Sequence, residues 1–103
     1  YPTGLTVSTY VIANVRLNET DRYQEYVDNV PAIIEKHGGR YLVRGGESAT
    51  MEGDWSPARF IVIEFPDRAA AMAFYNDPDY VPFRTLRQDI SDSALIIIDG
   101  YDE

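Results

Sequence analysis

The chain has 103 residues, no cysteine, one histidine and a formal net charge of −8. That length makes one domain and not two; the missing thiols exclude disulfides, thiol catalysis and cysteine-held metals, and a single histidine leaves no ordinary zinc set, so no metal is expected. The nine Lys and Arg are scattered through an acidic chain, which excludes nucleic acid and an anionic membrane surface as expected partners, and no apolar run reaches the ~20 residues that span a bilayer.

Absent cysteines and the lack of a visible secretion leader fit a cytoplasmic location. Residues 1–6 read as a disordered or cloning-derived N-terminal segment, and residues 7–103 as the single domain. Residues 7–17 are rich in β-branched side chains and predict a strand, with Val11, Ala13 and Val15 on one face and Tyr10, Ile12, Asn14 and Arg16 on the other. A helix start at Asn18-Glu19-Thr20 is followed by an apolar stripe of Tyr23, Tyr26, Val27, Val30, Ile33 and Ile34. Pro31 inside that stripe predicts a kink or break near Val30, and Gly38-Gly39 ends the helix.

Residues 40–46 predict a second strand, Tyr41 and Val43 facing one way and Leu42 and Arg44 the other. A polar connection over 47–57, holding the only tryptophan, leads to a third strand at 58–65. Asp67 is an N-cap candidate for a helix over 68–76, Asp77-Pro78-Asp79 breaks it, and a short helix resumes from Tyr80 to about Asp89. Ser91-Asp92-Ser93 predicts a turn, and residues 94–99 a last strand that is apolar on both faces, before an acidic tail expected to fray.

The order β-α-β-β-α-β, with the second helical region in two pieces, predicts an α+β ferredoxin-like sandwich: an antiparallel four-stranded sheet with its helices on one face. The other face is then bare. Alternation sends Tyr10, Ile12, Asn14, Leu42, Arg44, Phe60, Val62 and Glu64 to it, a surface too apolar for water. A homodimer that packs two such faces together is the expected assembly.

Several stretches carry a resemblance: Tyr-Val-Ile-Ala-Asn-Val at 10–15, Gly-Gly-Arg-Tyr-Leu-Val-Arg-Gly-Gly at 38–46, and Glu-Gly-Asp-Trp-Ser-Pro-Ala-Arg at 52–59. Val-Ile-Glu-Phe-Pro at 62–66, Tyr-Asn-Asp-Pro-Asp-Tyr at 75–80 and Arg87 continue it. Together they resemble the family catalogued as domain of unknown function 1330, over nearly the whole chain. Phe74 stands where similar sequences often carry Trp. The resemblance implies a dimeric α/β barrel built from two ferredoxin-like subunits. Its wider superfamily includes cofactor-free monooxygenases, lactone isomerases and haem enzymes, so it bears on fold more than on chemistry.

Glu64 and Arg44 are the candidate catalytic pair, because charges on central strand positions are costly to bury unless they are paired or used. In a cofactor-free oxygenase or isomerase acting on a small organic molecule between the sheets, Glu64 would move the proton and Arg44 would hold an oxyanion. In a non-catalytic binding or structural dimer, the two would instead form a buried ion pair. Tyr10 and Asn14 are candidate ligand contacts on the same face. Trp55 would cover a pocket or anchor its loop on a partner. Arg59 would contact ligand or pair with Glu52 or Asp54, and Tyr80 would pack on its helix face or reach the cavity mouth. His37, in the last helical turn, reads as a capping group, with general base as the alternative; as the one histidine it is also the only histidine available to haem, and no cofactor is expected. The paired glycines open no helix and precede no Gly-Lys-Ser/Thr, so they form no phosphate loop.

Overall fold

The computed structural model describes residues 8–101, so the expectation for residues 1–6 and the end of the acidic tail lie outside the described residues. The elements are β1 (Thr9–Leu17), α1 (Tyr23–Lys36), β2 (Arg40–Arg44), β3 (Phe60–Phe65), α2 (Arg68–Tyr75), α3 (Val81–Ile90) and β4 (Ser91–Asp99). The four strands form one antiparallel sheet in the order β2-β3-β1-β4, the predicted ferredoxin-like arrangement with the second helical region in two pieces. Among the described residues no helix is long and apolar enough to cross a membrane.

Strand alternation sorts the core. Val11, Ala13, Val15, Ile61, Ile63 and Phe65 are buried on one sheet face, against Val30 and Ile34 of α1, Ala71 and Phe74 of α2, and Leu86 and Ile90 of α3. Asp67 caps α2 as its sequence position predicts, its side chain accepting from the Ala70 amide at 2.8 Å. Gly38 leaves α1 at φ +79°, the left-handed conformation that glycine adopts cheaply. A Cβ on Gly39 would lie 2.6 Å from the Phe65 ring and 2.8 Å from Ile34, so the chain can pass this close to the core only as glycine.

Three local expectations need correction. Of the kink or break expected near Val30, the break does not occur: α1 is continuous from Tyr23 to Lys36 with Pro31 inside it. The proline ring leaves the Val27 carbonyl without its helical donor, and the Arg44 guanidinium reaches that oxygen, Nη2 donating at 3.4 Å. Ser91-Asp92-Ser93 is no turn: α3 passes directly into β4, where these residues pair with Leu17, Arg16 and Val15. Ser91 is extended, and its hydroxyl donates back to the Arg87 carbonyl, covering an end-of-helix acceptor that a separate turn would otherwise have to satisfy.

The third correction is in β2. Tyr41 pairs with Ile63, but Val43 pairs with Val62 and Arg44 with Ile61, so the register shifts by one residue around Leu42. Such a bulge reverses the faces that follow it. Val43, expected toward the helices, stands on the open face, while Arg44, expected on the open face, joins Tyr41 on the helix side.

Candidate functional site

The covered side of the sheet encloses a polar cluster inside the apolar core. Four residues of α3 at helical spacing, Phe83, Leu86, Arg87 and Ile90, form its inward stripe. Arg87 occupies one of those core positions and is 3% exposed. It takes part in no salt bridge among the described residues, and its Nε has no hydrogen-bond partner. Beside it the hydroxyls of Tyr26 from α1 and Tyr80 from the α2–α3 turn lie 2.9 Å apart. An internal void of about 20 Å³ is lined by these three residues, Tyr41 and the inward side chains of β1, β3 and β4.

Burial pushes both the Tyr26 and the Tyr80 phenol above the usual tyrosine range, with the nearby Arg87 charge acting in the opposite direction. Both phenols are therefore neutral hydrogen-bond donors rather than bases. One hydroxyl proton is spent between the pair, which leaves one to offer, and the Arg87 Nε–H is a second unused donor. Among the described residues no carboxylate or imidazole lines the void. The arrangement can stabilise an oxyanion, but it contains no group to generate one.

Further arginines surround the tyrosines. Arg59 Nε donates to the Tyr23 hydroxyl at 3.2 Å, and Tyr23 stacks on Tyr26 with ring centroids 5.5 Å apart. The Arg44 guanidinium lies 4.7 Å from the Tyr41 ring centroid. Burial raises the Tyr41 pKa, and Arg44 and Arg59 oppose that rise.

The residues singled out in the sequence are thus divided between two faces. Glu64 is on the open face as expected, but its partner is Arg40 and not Arg44: Arg40 Nε donates to Oε1 at 2.8 Å, and the Tyr10 hydroxyl to Oε2 at 3.3 Å. Both partners lie directly across from Glu64 on the neighbouring strands. Asn14 accepts from the Ala58 amide at 2.9 Å and so holds the β2–β3 connection at its return to the sheet. Trp55 is exposed and sets its ring edge-on to Phe60, with centroids 5.5 Å apart. Arg59 bonds Tyr23 and forms no salt bridge with Glu52 or Asp54. Tyr80 is fully buried within the cluster, not at a mouth. His37 does end α1, but its ring contacts the Asp77 carboxylate, Nε2 to Oδ2 at 2.6 Å, rather than helix carbonyls.

Arg87, Tyr26 and Tyr41 are the site residues that the sequence reading did not select. The signal for Arg87 was present: a lone cation on the apolar stripe of a short helix. Tyr26 and Tyr41 carried no such signal, since aromatic residues at inward positions are ordinary core.

The open antiparallel sheet with helices on one face defines a ferredoxin-like α+β protein. The chain belongs to the family described as Domain of unknown function (DUF1330), which matches residues 8–101. Among solved structures, a protein of unknown function from Rhodopseudomonas palustris is similar at a TM-score of 0.75 and 23% identity, over 94% of this chain and 85% of that one. SnoaB, a cofactor-independent oxygenase from Streptomyces nogalater, is similar at 0.63 and 11%, over 95% and 97%. A dimeric ferredoxin-like protein of unknown function from Thermobifida fusca is similar at 0.53 and 14%, over 92% of each chain. No curated protein matches the chain. At these identities the likeness establishes the fold alone.

Proposed function

We propose that the chain is a cofactor-free enzyme of the oxygenase or isomerase type, acting on a small organic molecule held between the helices and the covered face of the sheet. The observation that carries this reading is the Tyr26–Tyr80 hydroxyl pair at the wall of an internal void, beside the unpartnered Arg87 Nε. Enolate and phenolate chemistry of this kind needs donors aimed at a developing or standing oxyanion in a dry site. SnoaB, a cofactor-independent oxygenase that shares this fold, supports the reading.

On this reading Arg44 and Glu64 take structural roles. Arg44 serves the Val27 carbonyl, and Glu64 is already bonded by Arg40 and Tyr10. A second reading, a module that binds a small ligand without turnover, is favoured by one observation: the void has no base on its wall. Under the enzymatic reading the substrate must arrive already acidic enough to be an anion.

A screen of dioxygen uptake and solvent-deuterium exchange over small enolisable ketones and phenols separates the two. The enzyme reading expects acceleration that falls about 100-fold in Tyr80→Phe, as when an oxyanion donor is removed, and is unchanged in Glu64→Gln. Binding of the same compounds without acceleration leaves the module. We also infer that a second copy of the chain covers the open face, where Val43, Ile96 and Ile98 are exposed around the sheet strands; the dimeric Thermobifida fusca protein supports that assembly.

A further inference from the structure

We propose that the ligand of this site is an amphipathic carboxylate, its acid head on Arg87 and the Tyr26–Tyr80 hydroxyls and its apolar body in the groove between α2 and β4. The inference rests on the helix–sheet site proposed above and adds the class of molecule that fills it.

Charge comes first. Arg22, Lys36, Arg40 and Arg68 each meet an acid, and all four side chains are more than half exposed. Arg87, the deeply buried cation, meets none. An uncompensated guanidinium is costly in a core, and a chain with 17 acids against nine Lys and Arg did not lack residues to neutralise it. Among the described residues none supplies the counter-ion, which points to an external one. A guanidinium presents planar, forked N–H donors that match a carboxylate, and the spare phenol proton of the Tyr26–Tyr80 pair adds a third direction of approach.

Shape decides what the acid is attached to. The void at Arg87 is about 20 Å³, space for little more than one water. A groove of about 200 Å³ lies beside it, lined by Val11, Met72, Tyr75, Leu95 and Ile97, with no charged residue on its wall. Val11 and Leu95 line both spaces. Leu95 belongs to β4, an edge strand, and is only partly buried; in the proposed complex a change of its rotamer joins groove and void. A free inorganic anion would leave the groove empty, and a neutral apolar molecule would leave Arg87 uncompensated. A compact apolar body carrying one carboxylate satisfies both.

Calorimetry and amide NMR with hexanoate and phenylacetate, each against its own amide, test this. The acids should bind wild type and shift Met72, Leu95 and Ile97, with the amides weaker by about 10-fold or more, as expected when a charge-assisted bond is lost. Arg87→Met should erase the preference for acid over amide. Met72→Trp should weaken acids and amides alike by filling the groove, without touching Arg87. Equal binding of acids and amides to wild type overturns the carboxylate inference and leaves the site standing. No shift at groove or void residues with any of the four compounds overturns both. Should Arg87→Met fail to fold by circular dichroism, the acid-to-amide ratio in wild type and the weakening of both compounds by Met72→Trp still decide.

Discussion

On the open face of the sheet Glu64 accepts from a cross-strand arginine and a cross-strand tyrosine; on the covered face Arg87 sits among tyrosines with no acid at all. The open face has apolar residues exposed around a satisfied charge. The covered face has a well-packed apolar core around an unsatisfied one. Satisfied charge amid exposed apolar surface is what the proposed second copy of the chain would cover. A buried cation that meets no acid among the described residues is what the proposed site would use, at a cost in stability.

The contrast breaks most sharply at the open face. Ile96→Asp places a charge amid the exposed apolar residues across from Ile12, so a homodimer held there should become a monomer by solution scattering. A wild-type monomer at micromolar concentration would remove the partner argument altogether. The covered face gives the next largest effect and the opposite sign. Arg87→Met replaces a buried charge that meets no acid among the described residues by an apolar chain of similar length and should stabilise the fold by about 1–4 kcal/mol in denaturant unfolding. A loss of stability in a folded variant would mean that Arg87 is structural and would remove the distinction between the faces. Glu64→Gln on the monomer should change stability by no more than about 1 kcal/mol, since Arg40 is largely exposed.

Element order was legible because the signals are strong: period-two alternation in β1 and β3, a helical stripe from Tyr23 to Ile34, and Asp67 at a cap. Faces were legible only where alternation runs unbroken. In β2 one extra residue at Leu42 sends Arg44 to the opposite side, and nothing in Arg-Tyr-Leu-Val-Arg announces a bulge. The expected Arg44–Glu64 pair failed on that single residue. In β4 both faces are apolar in sequence, so only pairing with β1 shows that Leu95 and Ile97 turn toward the helices and Ile96 and Ile98 away. Arg87 was legible in principle, as a cation on an apolar stripe. The Tyr26–Tyr80 contact was not, because it joins residues 54 apart through tertiary packing alone.

The smallest effect at neutral pH concerns how that contact is held. Asp77, buried in the turn before Tyr80, receives His37 Nε2 at 2.6 Å and Lys36 Nζ at 2.9 Å on one oxygen, and the Asp79 amide at 2.8 Å on the other. The His37 bond, then the Lys36 bond, hold its carboxyl well below the usual carboxylate range. The folded state therefore binds this proton less readily than the unfolded chain. Stability from the cluster is fully present above the unfolded value of about 3.9 and is lost as pH falls below it toward the depressed folded value. Urea midpoints should accordingly be flat in this contribution from pH ~7 to ~5 and fall below ~4, and Asp77→Asn should remove part of that acid slope. Asp99, held low chiefly by Arg68, keeps its own share. An identical acid slope in Asp77→Asn would mean the cluster is idle. The clasp ties the C-terminal end of α1 to the turn that carries Tyr80, and Tyr26 stands in the first turn of the same helix. Its loss in acid should therefore loosen the covered-face cluster while leaving Glu64 with its partners on neighbouring strands, which separates the two faces in one titration.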